Sequence, residues 1–451
     1  MKIIVAGCGK VGRTIIEQLC MEGHDISVID QEESVVNDIT DSFDVMGMVG
    51  NAASYAVQKE VGISAADLMI AATDSDELNL LCCLIARKAA GCRTIARVRN
   101  PEYNAEISLI KEELGLSMVV NPEYAAAVEA ARILRFPSAI RIETFAKSRV
   151  EIIKFRIPKG SVIDGVKLMD LAARTRTEVL VCTVERGEEV IIPSGGFVLR
   201  ENDIIGIVAS ARNTRQFVEK AGLSTRRVND TMIIGGGKIA YYLARHLIES
   251  GIKVKIIDKS EKRCEELCEM LPKAVVINAD AADQNVLLEE GIRTCESFVT
   301  LTGMDEENLF LSLFAQKSSN AKIITKVNRI AFDDLIQNLQ LGTLLNPRSI
   351  TAEVIIRYVR AMQNSIGSNV RALTYIIKGK VEALEFLIQK GAPVIGVPLK
   401  ALKIKKNVLI ACINHGGEIE VPNGFSRIQE GDTVVVVTSQ IGFSDISDIL
   451  G

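Results

Sequence analysis

The sequence repeats itself, and this internal duplication limits the possible folds more than any other feature. The opening stretch KIIVAGCGKVGRTIIEQL, which starts at residue 2, recurs as TMIIGGGKIAYYLARHL from residue 231. Further along, AATDSDELNLL is matched by TLTGMDEENLF, so that Thr73 corresponds to Thr302 and Asn79 to Asn308. Similarity that keeps its order and spacing over so long a stretch indicates two copies of one structural plan.

Each copy begins with an alternation of short β-branched runs and helical patterns. In the first copy, strands are predicted at 2–6, 26–30, 44–49, 67–73, 94–98 and 117–120, with longer helices at 11–22, 76–90 and 122–135. Strands that alternate with helices favour right-handed crossovers and a doubly wound parallel sheet. The low aromatic content of 4% suits such a sheet, whose central strands are buried on both faces.

The regular alternation of strands and helices ends at Pro137. Beyond it, strands are predicted at 150–157, 177–185 and 189–192 and helical stretches at 166–173 and 211–221. This pattern predicts a small α+β module, and the polar run 224–230 predicts a linker between the two copies. The predicted fold class is α/β, with two doubly wound parallel-sheet (Rossmann) domains, each followed by a small α+β domain. The predicted domains are residues 1–135, 136–225, 226–360 and 361–451.

Composition excludes several classes of function. The net charge of -4 and the isoelectric point near 5.7 give no support for nucleic acid as a general partner. The ten cysteines lack a disulfide spacing, and three histidines cannot form a metal cluster of zinc type from local sequence. We expect reduced cysteines, no metal site and a cytoplasmic location. No apolar run approaches the roughly 20 residues of a membrane span, so direct membrane insertion is not expected.

A glycine-rich loop follows the first predicted strand and opens the first helix, as in a dinucleotide-binding fingerprint. Gly7 permits the tight turn, Gly9 lets the backbone approach a pyrophosphate, and Gly12 lets the helix pack closely on the strand. The helix N-terminus adds free N–H groups and a positive dipole. Asp30 ends the second strand, where it would accept hydrogen bonds from an adenosine ribose. An acid there disfavours a 2′-phosphate, so NAD-type or ATP-type ligands are expected.

The second loop has the same design, with Gly235, Gly236 and Gly237 after a predicted strand. Its last glycine is replaced by Ala240, a small residue that this position accepts, and Asp258 repeats the ribose acid.

Polar residues also recur at the ends of the other strands, where ligands bind in such sheets. In the first copy they are Asn51, Thr73, Asp74, Arg97 and Arg99, and in the second they are Asp280, Thr302, Lys326 and Asn328, with Gly303 at the position of Asp74. Caps of the following loops would explain the Thr and Asp residues equally well. The position of Arg97 favours a phosphate contact, although a surface ion pair is the alternative.

Taken together, these blocks resemble the regulator-of-potassium-conductance (RCK, also KTN) domain family over essentially the whole chain. The motifs that carry the resemblance are GCGKVG, GNAAS, ATDSDELN and ARVRNPEY in the first copy, and GGGKIA, NADAAD and LTGMDEEN in the second. The resemblance implies a cytosolic regulatory subunit of an integral-membrane potassium transporter. It also implies NAD(H), with ATP or ADP, as ligands, and a homo-oligomer between a dimer and a tetramer that forms a ring.

The motifs and the resemblance together predict two nucleotide sites. The first would contain Gly7, Cys8, Gly9, Lys10, Val11, Gly12, Asp30, Asn51, Thr73, Asp74, Arg97 and Val98. The second would contain Gly235, Gly236, Gly237, Lys238, Ile239, Asp258, Asp280, Thr302 and Lys326. Because Ala279 stands where the first copy has Gly50, and Lys326 where it has Arg97, the two sites are expected to differ in ligand preference or occupancy.

Two other functions share this fingerprint. A nicotinamide-dependent oxidoreductase would need a proton donor or acceptor beside the nicotinamide. None of His24, His246 and His415 is predicted at the carboxyl end of a strand, and the chain offers no dedicated catalytic domain, so no catalytic residue is predicted. A regulator of a different potassium channel or efflux system would have the same domains. Fold alone does not decide among these functions.

Overall fold

The computed structural model describes residues 1–135, 139–145, 150–187, 189–223, 228–328, 342–364, 370–377, 380–440 and 442–451. The first part of the chain forms a parallel sheet in the order β3-β2-β1-β4-β5-β6. Its strands are β1 (Lys2–Ala6), β2 (Asp25–Asp30), β3 (Met46–Val49), β4 (Leu68–Ala71), β5 (Arg93–Arg97) and β6 (Met118–Val120). The strand order reverses at β1, which confirms the predicted doubly wound Rossmann sheet.

The helices of this domain cover both faces of the sheet. They are α1 (Lys10–Met21), α2 (Glu33–Ser42), α3 (Tyr55–Glu60), α4 (Asp76–Ala90), α5 (Pro101–Ala105), α6 (Ile107–Glu113) and α7 (Pro122–Arg135). Helix α4 begins where the Ser75 side chain accepts a hydrogen bond from the Leu78 N–H, and it ends at Gly91 in the left-handed conformation. Strand β4 ends at Ala71, two residues before the predicted end, so Thr73 lies in the loop at the sheet edge.

The first small module is an antiparallel sheet in the order β10-β9-β11-β8-β7. Its elements are β7 (Ala139–Phe145), β8 (Val150–Arg156), α8 (Leu171–Thr175), β9 (Leu180–Arg186), β10 (Glu189–Ile191), β11 (Ile204–Val208) and α9 (Ala211–Lys220). Strand β7 was not predicted from the sequence. The predicted helical stretch 166–173 is a 3-10 turn at Leu168–Asp170 that continues into α8. The predicted linker falls partly outside the described residues at 224–227, and its last residue, Asp230, already pairs in the next sheet.

The second copy repeats the parallel sheet in the order β14-β13-β12-β15-β16-β17. Its strands are β12 (Asp230–Ile234), β13 (Lys253–Asp258), β14 (Val275–Asn278), β15 (Ser297–Thr300), β16 (Lys322–Lys326) and β17 (Thr343–Leu345). Its helices are α10 (Lys238–Glu249), α11 (Glu261–Met270), α12 (Gln284–Glu289), α13 (Asp305–Ser318) and α14 (Pro347–Asn364). The second small module has the order β18-β19-β22-β20-β21, with β18 (Val370–Ile377), β19 (Val381–Leu387), β20 (Val408–His415), β21 (Glu418–Glu420) and β22 (Thr433–Thr438).

The described chain divides into two compact units, and each unit combines equivalent parts of the two copies. The first unit is Met1–Leu134 with Val228–Ile356, and the second is Arg135–Arg227 with Arg357–Gly451. The first unit therefore contains both Rossmann halves, here named half one and half two. Small residues of α7, such as Ala127 and Ala130, share a buried core with Leu243 of α10. The Asn121 side chain also donates a hydrogen bond to the Tyr242 hydroxyl at 3.2 Å.

The second unit contains both small modules and has a core that they build jointly. Buried residues of the first module, including Ile152 and Cys182, pack in one cluster with Ala383, Cys412 and Val435 of the second. Burial of side chains such as Ile152 and Val435 stabilises each by about 1.5–3 kcal/mol, so the modules stabilise one another. In the part of the chain that the structure describes, every helix is too short or too polar to cross a membrane.

Candidate functional site

The glycine loop of half one depends on three glycines for different steric reasons. Gly7 has φ +89°, and a Cβ there would lie 2.6 Å from the Thr73 backbone nitrogen. A Cβ on Gly12 would lie 1.9 Å from the Gly7 carbonyl oxygen, whereas a Cβ on Gly9 would meet nothing within 4 Å. Gly7 and Gly12 therefore close the loop onto the sheet. Gly9 leaves the open space that a phosphate group needs in order to approach the backbone.

The loop of half two reproduces this arrangement. Gly235 has φ +94°, and a Cβ there would lie 3.0 Å from the backbone of Leu301 and Thr302. Gly237 faces open space like Gly9, and Ala240 is fully buried at the position of Gly12. The N–H groups at the starts of α1 and α10 lie directly after these open positions, where they can bind an anion.

The two carboxylates at the ends of β2 and β13 hold the glycine loops in place. One oxygen of Asp30 accepts a hydrogen bond from the Cys8 N–H at 2.7 Å, and one oxygen of Asp258 accepts from the Gly236 N–H at 2.6 Å. The second Asp258 oxygen accepts from the Ser260 N–H at 2.8 Å. A carboxylate oxygen can accept more than one hydrogen bond, so this role is compatible with a ribose contact.

Behind the loops, a buried asparagine in each half organises the ends of two strands. The Asn79 side chain accepts from the Thr73 N–H at 2.8 Å and donates to the Arg97 carbonyl at 2.9 Å. Asn308 bonds to Thr302 and Lys326 in the same way. The duplication shows that the two asparagines are equivalent. Their role in holding the strand ends was not predicted, because an asparagine early in a helix is also typical of a helix cap.

Four of the predicted site residues have local roles in the structure. Asn51 and Asp280 each accept a hydrogen bond at 2.9 Å from the N–H two residues further on, which closes a turn. The Val98 side chain is buried in the core. Cys8 is buried, and burial together with the nearby Asp30 raises the pKa of its thiol to about 12, so it stays uncharged. None of these four side chains lines the cavity described next.

Both glycine loops line one cavity of about 690 Å³ between the two halves. Half one contributes Gly9, Lys10, Val11, Asp74, Arg97, Arg99 and Glu123 among others, and half two contributes Gly237, Lys238, Ile239, Lys326, Asn328 and Arg348. The volume falls within the range of small-molecule sites, about 300–1,000 Å³. Six of these lining residues are basic and two are acidic, so the cavity favours a polyanionic ligand such as a di- or triphosphate.

Arg97 and Lys326 are equivalent cations in this cavity and make equivalent contacts. The Arg97 guanidinium donates to the Thr73 carbonyl at 3.1 Å, and the Lys326 ammonium donates to the Thr302 carbonyl at 2.9 Å. Burial lowers the pKa of both, and Arg99 lowers that of Arg97 further. Asp74 lies 3.8 Å from Arg97. The change from arginine to lysine therefore conserves the position of the charge, while it loses the planar, bidentate donor group.

The cavity also contains two charged residues, Glu123 and Arg348, that were not predicted from the sequence. Each follows a proline at the start of a helix, after a cap by Asn121 or Asn346. Glu123 pairs with Arg99 at 2.8 Å. The repeated Asn-Pro pair was visible in the sequence, but only the structure shows that the next residue faces the opposite half.

Lys326 gives the second site a pH dependence that an arginine would not have. Its folded-state pKa is lowered by burial, so as pH rises the ammonium loses its proton at a lower pH than an exposed lysine. We expect phosphate affinity at half two to fall over the alkaline range below the ordinary lysine pKa of 10.5, by at most about tenfold per pH unit. Lys326→Arg should flatten this profile. Calorimetric titration with ADP across this range would measure it, and parallel profiles for the two proteins would contradict the assignment.

The histidines lie where the sequence placed them, away from the cavity. His24 is buried in the turn between α1 and β2, His246 is on α10, and His415 ends β20. His415 lies between Asp432 and Glu420, at 2.9 and 3.0 Å. Burial lowers the pKa of His415, but hydrogen bonds to both carboxylates outweigh this and raise it overall. Among the described residues, no group of histidine, cysteine and acidic side chains could hold a metal ion.

Comparison with known proteins gives the same organisation. Residues 3–122 and 231–347 match the model of the TrkA-N domain, and residues 152–222 and 383–451 match that of the TrkA-C domain. A Trk system potassium uptake protein TrkA homolog from Archaeoglobus fulgidus is 31% identical over 100% of both chains. A TrkA homolog 1 from Methanosarcina mazei is 30% identical and covers 99% of each chain.

Among solved structures, the GsuK channel bound to NAD matches 97% of this chain and 77% of that chain, with a TM-score of 0.65 and 17% sequence identity. The TM-score shows a shared fold. The paired glycine loops, their strand-end acids and the small modules define a tandem protein of the RCK class. The chain belongs to the family of the Trk system potassium uptake protein TrkA.

Proposed function

We propose that this protein is the nucleotide-sensing regulatory subunit of a membrane potassium uptake transporter, and that it controls potassium flux in response to NAD(H), ATP or ADP. The observation that carries the proposal is the cavity that both glycine loops line. A ligand whose phosphates lie there contacts both halves at once. Such a ligand binds most tightly to one mutual arrangement of the halves, and this difference in affinity is what a sensor needs to shift a conformational equilibrium.

The membrane partner would be an integral-membrane subunit of the TrkH/TrkG-like type, and this protein would act at the cytoplasmic face of the membrane. This part of the proposal is supported by the family of the chain, because its named members are potassium uptake proteins. A homo-oligomer, from a dimer to a ring-shaped tetramer, would carry the change in the halves to the transporter. The proposed function involves no nucleic-acid partner.

The first nucleotide site would consist of the loop at Gly7–Gly12 with Asp30, and of Thr73, Asp74 and Arg97 at the neighbouring strand ends. The second would consist of the loop at Gly235–Ile239 with Asp258, Thr302 and Lys326. The support is geometric, because the loops, Asp74 and both cations lie at one cavity and the acids fix the loops. Asn51, Asp280 and Val98 would then contribute through their backbone or through the shape of the turn.

Asp30→Ala tests the first site. The change removes the acceptor for the ribose and for the Cys8 N–H, so we expect NADH affinity at half one to fall about tenfold to a hundredfold. Asp25→Ala is the matched control, since Asp25 is an exposed carboxylate at the opposite end of the same strand. Titration of the full-length protein with NADH and ATP would measure both. Equal affinities in wild type, variant and control would exclude this site.

The regulatory role itself requires a flux measurement. The protein would be co-purified with a TrkH/TrkG-like subunit and reconstituted in vesicles, and potassium flux would be recorded with and without nucleotide. A nucleotide-dependent flux that the Asp30→Ala variant reduces supports the proposal. Turnover of NADH with a panel of keto acids, without an effect on flux, would instead favour the oxidoreductase.

A further inference from the structure

The two halves differ most in charge at the end of the site where the adenosine would lie. In half one, residues 31–35 read QEESV, with two acidic residues and no basic one. In half two, the equivalent residues 259–263 read KSEKR, with three basic residues and one acidic one. These segments directly follow Asp30 and Asp258 and begin helices α2 and α11. In a Rossmann domain, the residues after the strand-end acid surround the 2′ position of the adenosine ribose.

Arg263 contacts the second glycine loop, and the residue at the equivalent position of half one does not. Its Nε donates to the Gly236 carbonyl at 2.6 Å, and its Nη1 donates to Glu266 at 2.7 Å. The side chain is 25% exposed, so it is partly ordered by packing and still reaches solvent. In half one this position is Val35, which has no charge.

Ser260 and Lys259 complete a group of donors beside Asp258. The Ser260 side chain accepts from the Arg263 N–H at 3.3 Å and caps α11, whereas α2 begins after Glu32 without a side-chain cap. Lys259 and Ser260 are exposed. The segment that directly follows the acid therefore carries an ammonium, a hydroxyl and a guanidinium at a helix N-terminus, groups that can bind an anion.

The charge of Asp258 is offset in a way that permits a second anion nearby. Both strand-end acids accept backbone hydrogen bonds on both oxygens, Asp258 from Gly236 and Ser260 and Asp30 from Cys8 and Glu32, so the difference between the halves lies in the neighbouring charged side chains. Lys259 adds a positive charge directly after Asp258, and Arg263 adds a second, which it shares with Glu266. In half one, Asp30 is followed by Glu32 and Glu33 with no cation between them, so a phosphate on the ribose would be repelled.

We propose that half two binds an adenine nucleotide that carries a 2′-phosphate on its ribose, of the NADP(H) type, while half one binds nucleotides with an unmodified ribose. The inference rests on the proposed nucleotide-sensing function and sets the ligand class of its second site. It replaces the simpler expectation, drawn from Asp258 alone, that both sites prefer NAD-type ligands. The protein would then respond to two separate nucleotide pools through one chain.

The test compares NADPH and NADH binding to the full-length protein by calorimetry. Arg263→Val and Lys259→Gln each install the residue of half one, Val35 or Gln31. We expect each variant to lower the ratio of NADPH to NADH affinity about tenfold or more, because a charge-assisted contact to the phosphate is lost. Lys262→Gln is the matched control, since it removes the same charge from an exposed position in the same helical turn and should leave the ratio within about threefold.

Each outcome decides between clear alternatives. NADPH binding that persists in Asp30→Ala and is lost in Arg263→Val assigns the phosphate to half two. A wild-type protein that binds NADH but not NADPH, or a ratio unchanged in both variants, would overturn the inference and leave the proposed function standing. If NADH, NADPH and ATP all fail to bind, the proposed function itself fails. Because Lys259 is exposed, its variant keeps the test valid even if Arg263→Val disturbs the glycine loop.

Discussion

Gly7→Ala is expected to destabilise the first unit by about 3 kcal/mol or more and to abolish nucleotide binding at half one. The added Cβ would lie 2.6–2.8 Å from backbone atoms of Ala72 and Thr73. These atoms directly follow strand β4, so they cannot shift without disturbing the end of that strand. Overpacking of this kind costs about 1–3 kcal/mol. The left-handed conformation at φ +89° adds about 1–2 kcal/mol for a residue with a side chain.

Gly23→Ala separates these two effects. Gly23 has φ +74°, but a Cβ there would meet nothing within 4 Å, so only the conformational penalty of about 1–2 kcal/mol applies. Denaturant unfolding of both variants, with NADH titration of the folded protein, would measure the difference. If Gly7→Ala destabilises no more than Gly23→Ala, the close contact between the loop and the end of β4 does not constrain the fold as described.

Arg97→Met is expected to weaken nucleotide binding at half one by about tenfold to a hundredfold without destabilising the protein. Arg97 is only 8% exposed, and its Nε has no hydrogen-bond partner among the described residues. Burial and the neighbouring Arg99 lower its pKa, which means that its charge is unfavourable until an anion binds. A methionine keeps the aliphatic volume and removes that charge, so stability should hold or rise.

Arg93→Met is the control for Arg97→Met, because Arg93 is exposed at the start of the same strand. It should change nucleotide affinity by less than about twofold. Binding would be measured by calorimetry at two salt concentrations, and stability by thermal unfolding. A large loss of stability in Arg97→Met with unchanged affinity would mean that Arg97 supports the fold and not the ligand.

The parallel sheets and the glycine loops could be predicted from the sequence, because their signals are local and occur twice. The buried β-branched runs, the glycine spacing and the acids at Asp30 and Asp258 lie within about 30 residues of each other in each copy, and the duplication confirmed each signal. Strand β7 gave no such signal. The site was harder to predict, because Asn79, Glu123 and Arg348 act through contacts between distant segments. Local sequence shows a cap or a helix start at these positions and not the cavity.

The opposite charges of Glu123 and Arg348 have a consequence for how this protein can evolve. In a pair of identical subunits, every substitution appears on both sides of the shared cavity, so a glutamate would face a glutamate. Two copies in one chain remove this constraint, since each position mutates alone. One side can then acquire Arg348 or the basic start of α11 while the other keeps Glu123 and an acidic start. A single polypeptide can thereby acquire two ligand sites of different preference, because a substitution in one site leaves the sequence of the other unchanged.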